Sequence, residues 1–382
     1  MPPSPRLPPE LCDHIIDQLC DKPDALKTCS AVSKSWTSRS RKHIFSTIHF
    51  YGDADITAWG NAFPDPPNSP AHHTQTLLIN HRGKGFPENH LTSFCNVTRL
   101  ILHVHSTDGL PISLTQLHGF TPSLKSLHMT FPSVPFSDIL DLVYSFPLLD
   151  NLLLTGLPMA SDVKVAPLVR PPFSGSLCLA VFQEMNVMAD HLLSLPGGIH
   201  FRKLILPWIC DQDLPTMVGL ISACSRTLES LQILNYAKRT CSRSISMITT
   251  AYLLLVEGNT QYLLDLSSAL NLKSIMFRCG MASLDVNWIT TTVESIKSPH
   301  VRKMTLHLPD DPTTDEDNNS QIPEAVYLQW LVLDKALVKY LTARSFKLKV
   351  VAPHGTGKVG FEARVEHLLP NLFGKKMLEA AG

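Results

Sequence analysis

Three clusters have residue types that could carry chemistry. Gly355-Thr356-Gly357-Lys358 is the nearest approach to a phosphate-binding loop. Such a loop needs a glycine separated by four residues from its Gly-Lys pair and a hydroxyl residue directly after that pair. Ala352 and Val359 stand at those places, so the run reads as a turn beside a strand end. Asp315-Glu316-Asp317-Asn318-Asn319 has the start of a calcium loop. Its turn glycine is replaced by Ser320 and its twelfth-position glutamate by Val326, which leaves a solvated acidic loop. His72-His73 and His103-x-His105 are the histidine pairs, and no Cys or carboxylate stands at metal-ligand spacing from them. No serine-hydrolase elbow, zinc-protease helix or catalytic carboxylate pair is present. The expectation is a chain with no catalytic residues, no metal and no cofactor.

Composition narrows the class further. The 382 residues carry 33 Lys+Arg against 33 Asp+Glu, a formal charge of zero. A dedicated nucleic-acid or anionic-membrane binder would carry a basic field, and the chain as a whole carries none. Charged residues are 17% and hydrophobic ones 44%, which supports a sizeable core rather than disorder. The opening MPPSPRLPPELC has no apolar run of the secretory kind, and stretches such as Tyr252–Val256 are far too short for a membrane span. Nine cysteines without a CxxC pair read as buried thiols of a reducing compartment. The two sequons, Asn96-Val97-Thr98 and Asn318-Asn319-Ser320, then read as chance matches, and the expected location is cytoplasmic, nuclear or both.

The elements that would position a site begin with helices. Leu11, Ile15, Ile16 and Leu19 share one helical face, opened by prolines that lose no needed hydrogen bond in a first turn. Asp21–Asp24 breaks that helix, with Asp24 as a candidate N-cap of the next. The second helix carries Leu26, Cys29, Val32 and Trp36 on one stripe, and a basic stretch, Arg39 to His43, comes after it. That stretch reads as a solvated helix end or as a grip on an acidic partner. Two short helices cannot bury their own apolar faces, so they either cap the rest of the chain or dock on another protein.

Residues 5–46, LPPEL-x3-II-x2-L followed by LKTCSAVSKSW, resemble the F-box motif, in the F-box-like form common in expanded families of basidiomycete fungi. The resemblance implies a three-helix module that binds the Skp adaptor and, through it, a cullin. It implies adaptor contacts from Leu7, Pro8, Leu11, Ile15, Ile16, Leu19, Leu26, Cys29, Val32, Ser33 and Trp36. Some of these must instead hold the module's own core, and Trp36 is either an interface anchor or a core residue.

Four prolines in residues 61–70 mark a connector, taken as residues 51–73, although Ile44–Tyr51 has the pattern of a first strand. From residue 74 an apolar-x-x-L-x-L pattern recurs. It starts at Thr74, Val97, Leu124, Leu149, Ser176 (weaker), Phe201, Leu228, Leu272 and Val301. The first six intervals fall between 23 and 27 residues; the last two are 44 and 29. Alternate residues of L-x-L point inward from a short strand, and intervening helices cover that row. Segments 135–146, 214–224 and 284–296 have helical spacing. Each unit is too small to fold alone, so stacked units share one core.

This resembles leucine-rich repeats in an irregular form. The expected fold is thus α/β: an F-box-like module over 1–50, the connector, and over 74–382 a solenoid with parallel strands on the concave side and helices outside. The Asn or Cys that usually stands three residues after L-x-L is replaced by His105, Pro132, Leu157, Ile209, Tyr236, Gly280 and Pro309. The 44-residue interval leaves room for a degenerate repeat near Ile245–Leu255. A helix over 325–341, a strand over 346–351 and a closing helix over 362–369 complete the pattern.

The implied function is the substrate-recognition subunit of a Skp–cullin–F-box ubiquitin ligase, with an unknown target protein on the repeat arc. His103, His128, Thr130, Thr155, Gln232, Arg278 and His307 are candidate target contacts on the strand face. The alternative is a leucine-repeat scaffold with no ligase link, its N-terminal helices serving only as a cap.

Overall fold

The computed structural model describes residues 8–81, 91–105, 117–159, 174–181, 185–195, 197–208, 214–235, 264–279, 286–308, 324–352 and 358–381. Leu7, the acidic loop 315–320, the glycine turn at 355–357 and the candidate repeat at 245–255 lie outside these residues. The chain divides into two compact units, Met1–Phe173 and Ser174–Gly382.

The first unit opens with three helices, α1 (Pro9–Asp17), α2 (Pro23–Val32) and α3 (Lys34–Ile44). The expected second helix is interrupted. Ser33 is extended and accepts a hydrogen bond from the Trp36 amide, so it caps α3 and moves Trp36 off the stripe of α2. The cap expected at Asp24 is also displaced: Lys22 precedes α2, Pro23 fills its first position, and Asp24 pairs with Lys27 on the surface.

Strand β1 (Thr47–Phe50) then pairs in parallel with β2 (Thr76–His81), and β3 (Arg99–Val104), β4 (Ser126–Pro135) and β5 (Asn151–Met159) succeed it in chain order. The connector is not bare loop. It holds α4 (Asp53–Ala62) and two short 3-10 turns, and α4 carries Trp59 into a ring cluster with Phe45, Phe50, Phe63 and Phe94. Helix α5 (Phe136–Tyr144) comes directly after β4.

The second unit repeats the plan. Its strands are β6 (Ser176–Val181), β7 (Lys203–Trp208), β8 (Ser230–Asn235), β9 (Ser274–Arg278), β10 (Lys303–His307), β11 (Leu348–Val351) and β12 (Leu378–Ala381). All pair in parallel with their sequence neighbours. Its helices are α6 (Met185–Leu193), α7 (Leu214–Cys224), α8 (Asn287–Ser295), α9 (Glu324–Thr342), α10 (Lys358–Leu368) and α11 (Pro370–Gly374).

Two register points differ from the sequence pattern. Leu177 and Leu179, not Leu179 and Val181, stand opposite the Leu204 row, so that turn starts at Ser174. The apolar first position is missing there, which is why the motif reads two residues late. Strand β8 pairs directly with β9, so the 44-residue interval inserts no strand between them.

The L-x-L side chains make the core, with Leu77, Leu100, Leu127 and Leu152 in one row and Leu204, Leu231, Ile275, Met304 and Leu348 in another. In place of an asparagine ladder, backbone does the stitching. Several strands start with two successive amides on a single carbonyl of the preceding turn: Thr98 and Arg99 on Gln75, Lys125 and Ser126 on Thr98, Glu229 and Ser230 on Arg202, Lys273 and Ser274 on Glu229. Hydroxyls add to it. Thr74 donates to the Phe45 carbonyl at 2.9 Å, Ser123 to Val97 at 2.8 Å and Ser298 to Leu272 at 2.8 Å.

Near the C-terminus, Asp334 of α9 is fully buried and answers the start of α11. One oxygen accepts from the Asn371 amide and side chain, each at 2.7 Å, and the other from the Leu372 amide at 3.0 Å. No helix among the described residues is long and apolar enough to cross a membrane.

Candidate docking surface

Helix α1 is held from one side only. Pro9 costs nothing at its first position, and the carbonyl of the preceding Pro8 accepts the Leu11 and Cys12 amides at 3.1 and 3.2 Å. Ile16 is 0% exposed and faces the module's interior. Leu11 and Ile15, four residues apart on an adjoining face, remain 51% and 43% exposed. Pro8 is exposed and Leu19 half-buried.

The remaining resemblance-implied contacts divide in the same way. Leu26 and Cys29 are buried core residues of α2, whereas Val32 at its end is 62% exposed. Ser33 is spent on the α3 cap, and Trp36 is half-buried. Thr37 donates to the Ser30 carbonyl at 2.7 Å and so ties α3 back to α2. Core therefore claims Ile16, Leu26 and Cys29, while Pro8, Leu11, Ile15 and Val32 are presented to solvent.

Asp17 locks α1 to α3. Arg39 grips its carboxylate with both forks, Nε at 2.7 Å and the terminal nitrogen at 2.5 Å, and His43 Nε2 lies 2.7 Å from Oδ1. These hydrogen bonds, first from Arg39 and then from His43, hold the Asp17 carboxyl well below the usual carboxylate range. Arg39 is raised by the same contact. The acidic partner of this basic stretch is thus inside the module, and the exposed Arg41 and Lys42 are what remains outside. Sequence spacing gave no sign of this triad, because its members lie 22 and 26 residues apart.

The strand-face candidates fall into two groups. In the first unit, Ile101 stands opposite His128, His103 opposite Thr130, and Thr130 opposite Thr155. The His103 and His128 rings are 5.5 Å apart at 75°. Burial depresses both imidazoles, and each is pushed down further by a neighbouring ring, His105 for the first and His103 for the second. Both therefore favour the neutral form. In the second unit, Gln232 stands opposite Met276 and Arg278 opposite His307. Lys203, Lys303 and Lys349 share that face. The L-x-L pattern did not reveal them, because Lys203 and Lys303 stand one residue ahead of its first inward side chain.

Among the described residues no group of three or more His, Cys, Asp or Glu is arranged to hold a metal ion. Seven free thiols are described; burial pushes Cys178 and Cys224 up to about 11 and Cys279 up to about 12. No protein-family model matches this chain, and no curated protein matches it.

Proposed function

We propose that the chain is the substrate-recognition subunit of a Skp–cullin–F-box type ubiquitin ligase. The N-terminal helices dock on the Skp adaptor and the leucine-rich strand face receives the target protein. The observation that carries this reading is the exposure of Leu11 and Ile15 on a helix that is anchored through the adjoining, buried Ile16. Covering what remains of each side chain is worth about 1 kcal/mol. Pro8 and Val32 add apolar surface in the same module. Helix α1 is rigidly presented, since the Asp17 triad fixes it to α3 and little ordering is left for binding. The contribution of the chain is proximity: a target lysine is held at high effective concentration near a charged enzyme, and other subunits perform the bond chemistry.

A second reading has its own observation. The module runs into β1 after two residues, and Thr74 bonds back to Phe45, so α3 is joined to the first turn of the sheet. On that reading α3 seats the module on the first turn, and the chain is a leucine-repeat scaffold with a helical cap and no ligase link.

Co-purification with the Skp adaptor separates the two. The wild type is expected to capture the adaptor, and Leu11→Asp/Ile15→Asp to lose at least about 100-fold in affinity while keeping its circular dichroism, because two carboxylates would be buried without partners. A wild type that captures no adaptor at micromolar concentration refutes the ligase reading and leaves the scaffold.

A further inference from the structure

The outward strand face of the second unit has an excess of positive charge, four cations against one carboxylate among the described residues. Lys203 and Lys303 occupy one row, linked through Ser230 and Ser274. Lys349 lies in the next row, in register with Thr305 and with Glu379. Arg278 lies one row further, in register with Leu234. Alternation places all of them on the side opposite the buried L-x-L row. None of the four cations makes an ion pair or a side-chain hydrogen bond among the described residues. Glu379 is the one carboxylate on these rows among the described residues, in a chain whose formal charge is zero.

Spacing couples two of these cations closely and leaves the other two at the margin. Strands lie about 4.8 Å apart and residues rise about 3.3 Å, so Lys303 and Lys349 are about 8 Å apart at Cα and Lys203 and Lys303 about 14 Å. The first distance is near the physiological screening length of about 8 Å, so an anion between those two feels both. Half-buried Leu234 and Met276 lie among the cations, giving apolar ground with a basic margin. No Phe, Tyr or Trp stands on the described outward rows, so the stacking platform of a single-stranded nucleic-acid site is missing.

We propose that this face binds an extended, acidic segment of a partner protein, one in which Asp or Glu stands at alternate positions. Its alternate side chains recur every 6.6 Å or so, a period that sets carboxylates toward the cations while the backbone crosses the strands. The proposal rests on reading the strand face as the target surface and names the chemical class of the target.

The test uses the full chain and two synthetic peptides, one alternating glutamate with leucine and one alternating lysine with leucine. The wild type is expected to bind the glutamate peptide at least about tenfold more tightly, with affinity falling several-fold between about 50 and 300 mM salt. Arg278→Glu/Lys303→Glu changes two exposed side chains and is expected to remove that preference while leaving capture of the Skp adaptor intact. Equal binding of both peptides, a preference untouched by the double substitution, or tighter binding of a short single-stranded RNA than of the glutamate peptide overturns the proposal. Capture of adaptor without the peptide preference refutes this surface alone. The preference without capture of adaptor refutes the ligase reading alone.

Discussion

Replacing Asp334 by alanine removes a fully buried acceptor that three donors share. The Asn371 amide, the Asn371 side chain and the Leu372 amide all lose their partner at once. The two amides belong to the first turn of α11, where helix geometry offers no internal acceptor. Hydrogen bonds to a charged group are worth about 1.5–3 kcal/mol each, and their sum is less than additive because one carboxylate serves all three. The expected loss is about 3 kcal/mol. The unit from Ser174 to Gly382 is of the size in which 1 kcal/mol moves Tm by about 2–4 °C, so the shift is about 6–12 °C. Asp334→Asn keeps one acceptor oxygen and is expected to cost about half as much. Thermal unfolding followed by circular dichroism gives the shift, and amide exchange at Asn371 and Leu372 reports the local opening. A shift below about 2 °C for the alanine variant, or unchanged exchange at those two amides, would refute the assignment of α11's anchorage to this carboxylate.

The Asp17 carboxyl is depressed in the folded chain, so its contribution is complete above the unfolded value near pH 4 and is lost as pH falls from there toward the folded value. Helicity of the wild type should therefore decline more steeply between about pH 5 and 2 than that of Asp17→Asn, and parallel curves would count against the clamp. Native alkylation followed by mass spectrometry should modify the exposed Cys20 and Cys95 while sparing Cys178, Cys224 and Cys279, whose thiols burial keeps protonated. Ser345 holds a left-handed conformation, φ 56°, at the exit of α9. Ser345→Gly should raise stability by about 0.5–1 kcal/mol in urea unfolding, and a loss would show that the hydroxyl matters more than the strain.

Legibility tracked locality. The strands of the repeated pattern could be read because Leu77/Ile79 or Leu231/Ile233 alternate over a few residues, and alternation is what burial of one strand face imposes. Helix α7 was readable end to end for the same reason. The turn at Ser174 misread by two residues because Ser174 and Gly175 offer no apolar first position, leaving the strand pairing to decide its register. The last strand was invisible: Leu378, Glu379, Ala380 and Ala381 have too little hydrophobic contrast, and only pairing with β11 defines them. In the helical module the apolar positions were identified but not their division between core and solvent. That division depends on which side of α1 the Asp17 triad presses against α3, a contact across 22 residues that no local period encodes.

The paired amides at these strand starts carry a consequence for how such a chain can change. The same two bonds join Arg202 to Glu229 and Ser230 across an excursion of ordinary length, and Glu229 to Lys273 and Ser274 across one of 44 residues. The junction registers the last carbonyl and the next two amides and is blind to the length of polypeptide between them. Insertions can therefore accumulate in the excursions at an entropic cost of about 0.6 kcal/mol for each doubling of loop length. The outward rows keep their neighbours throughout. Length is a neutral variable in this architecture and register a fixed one, so new material can be tried at the ends of the strands without disturbing the surface they already present.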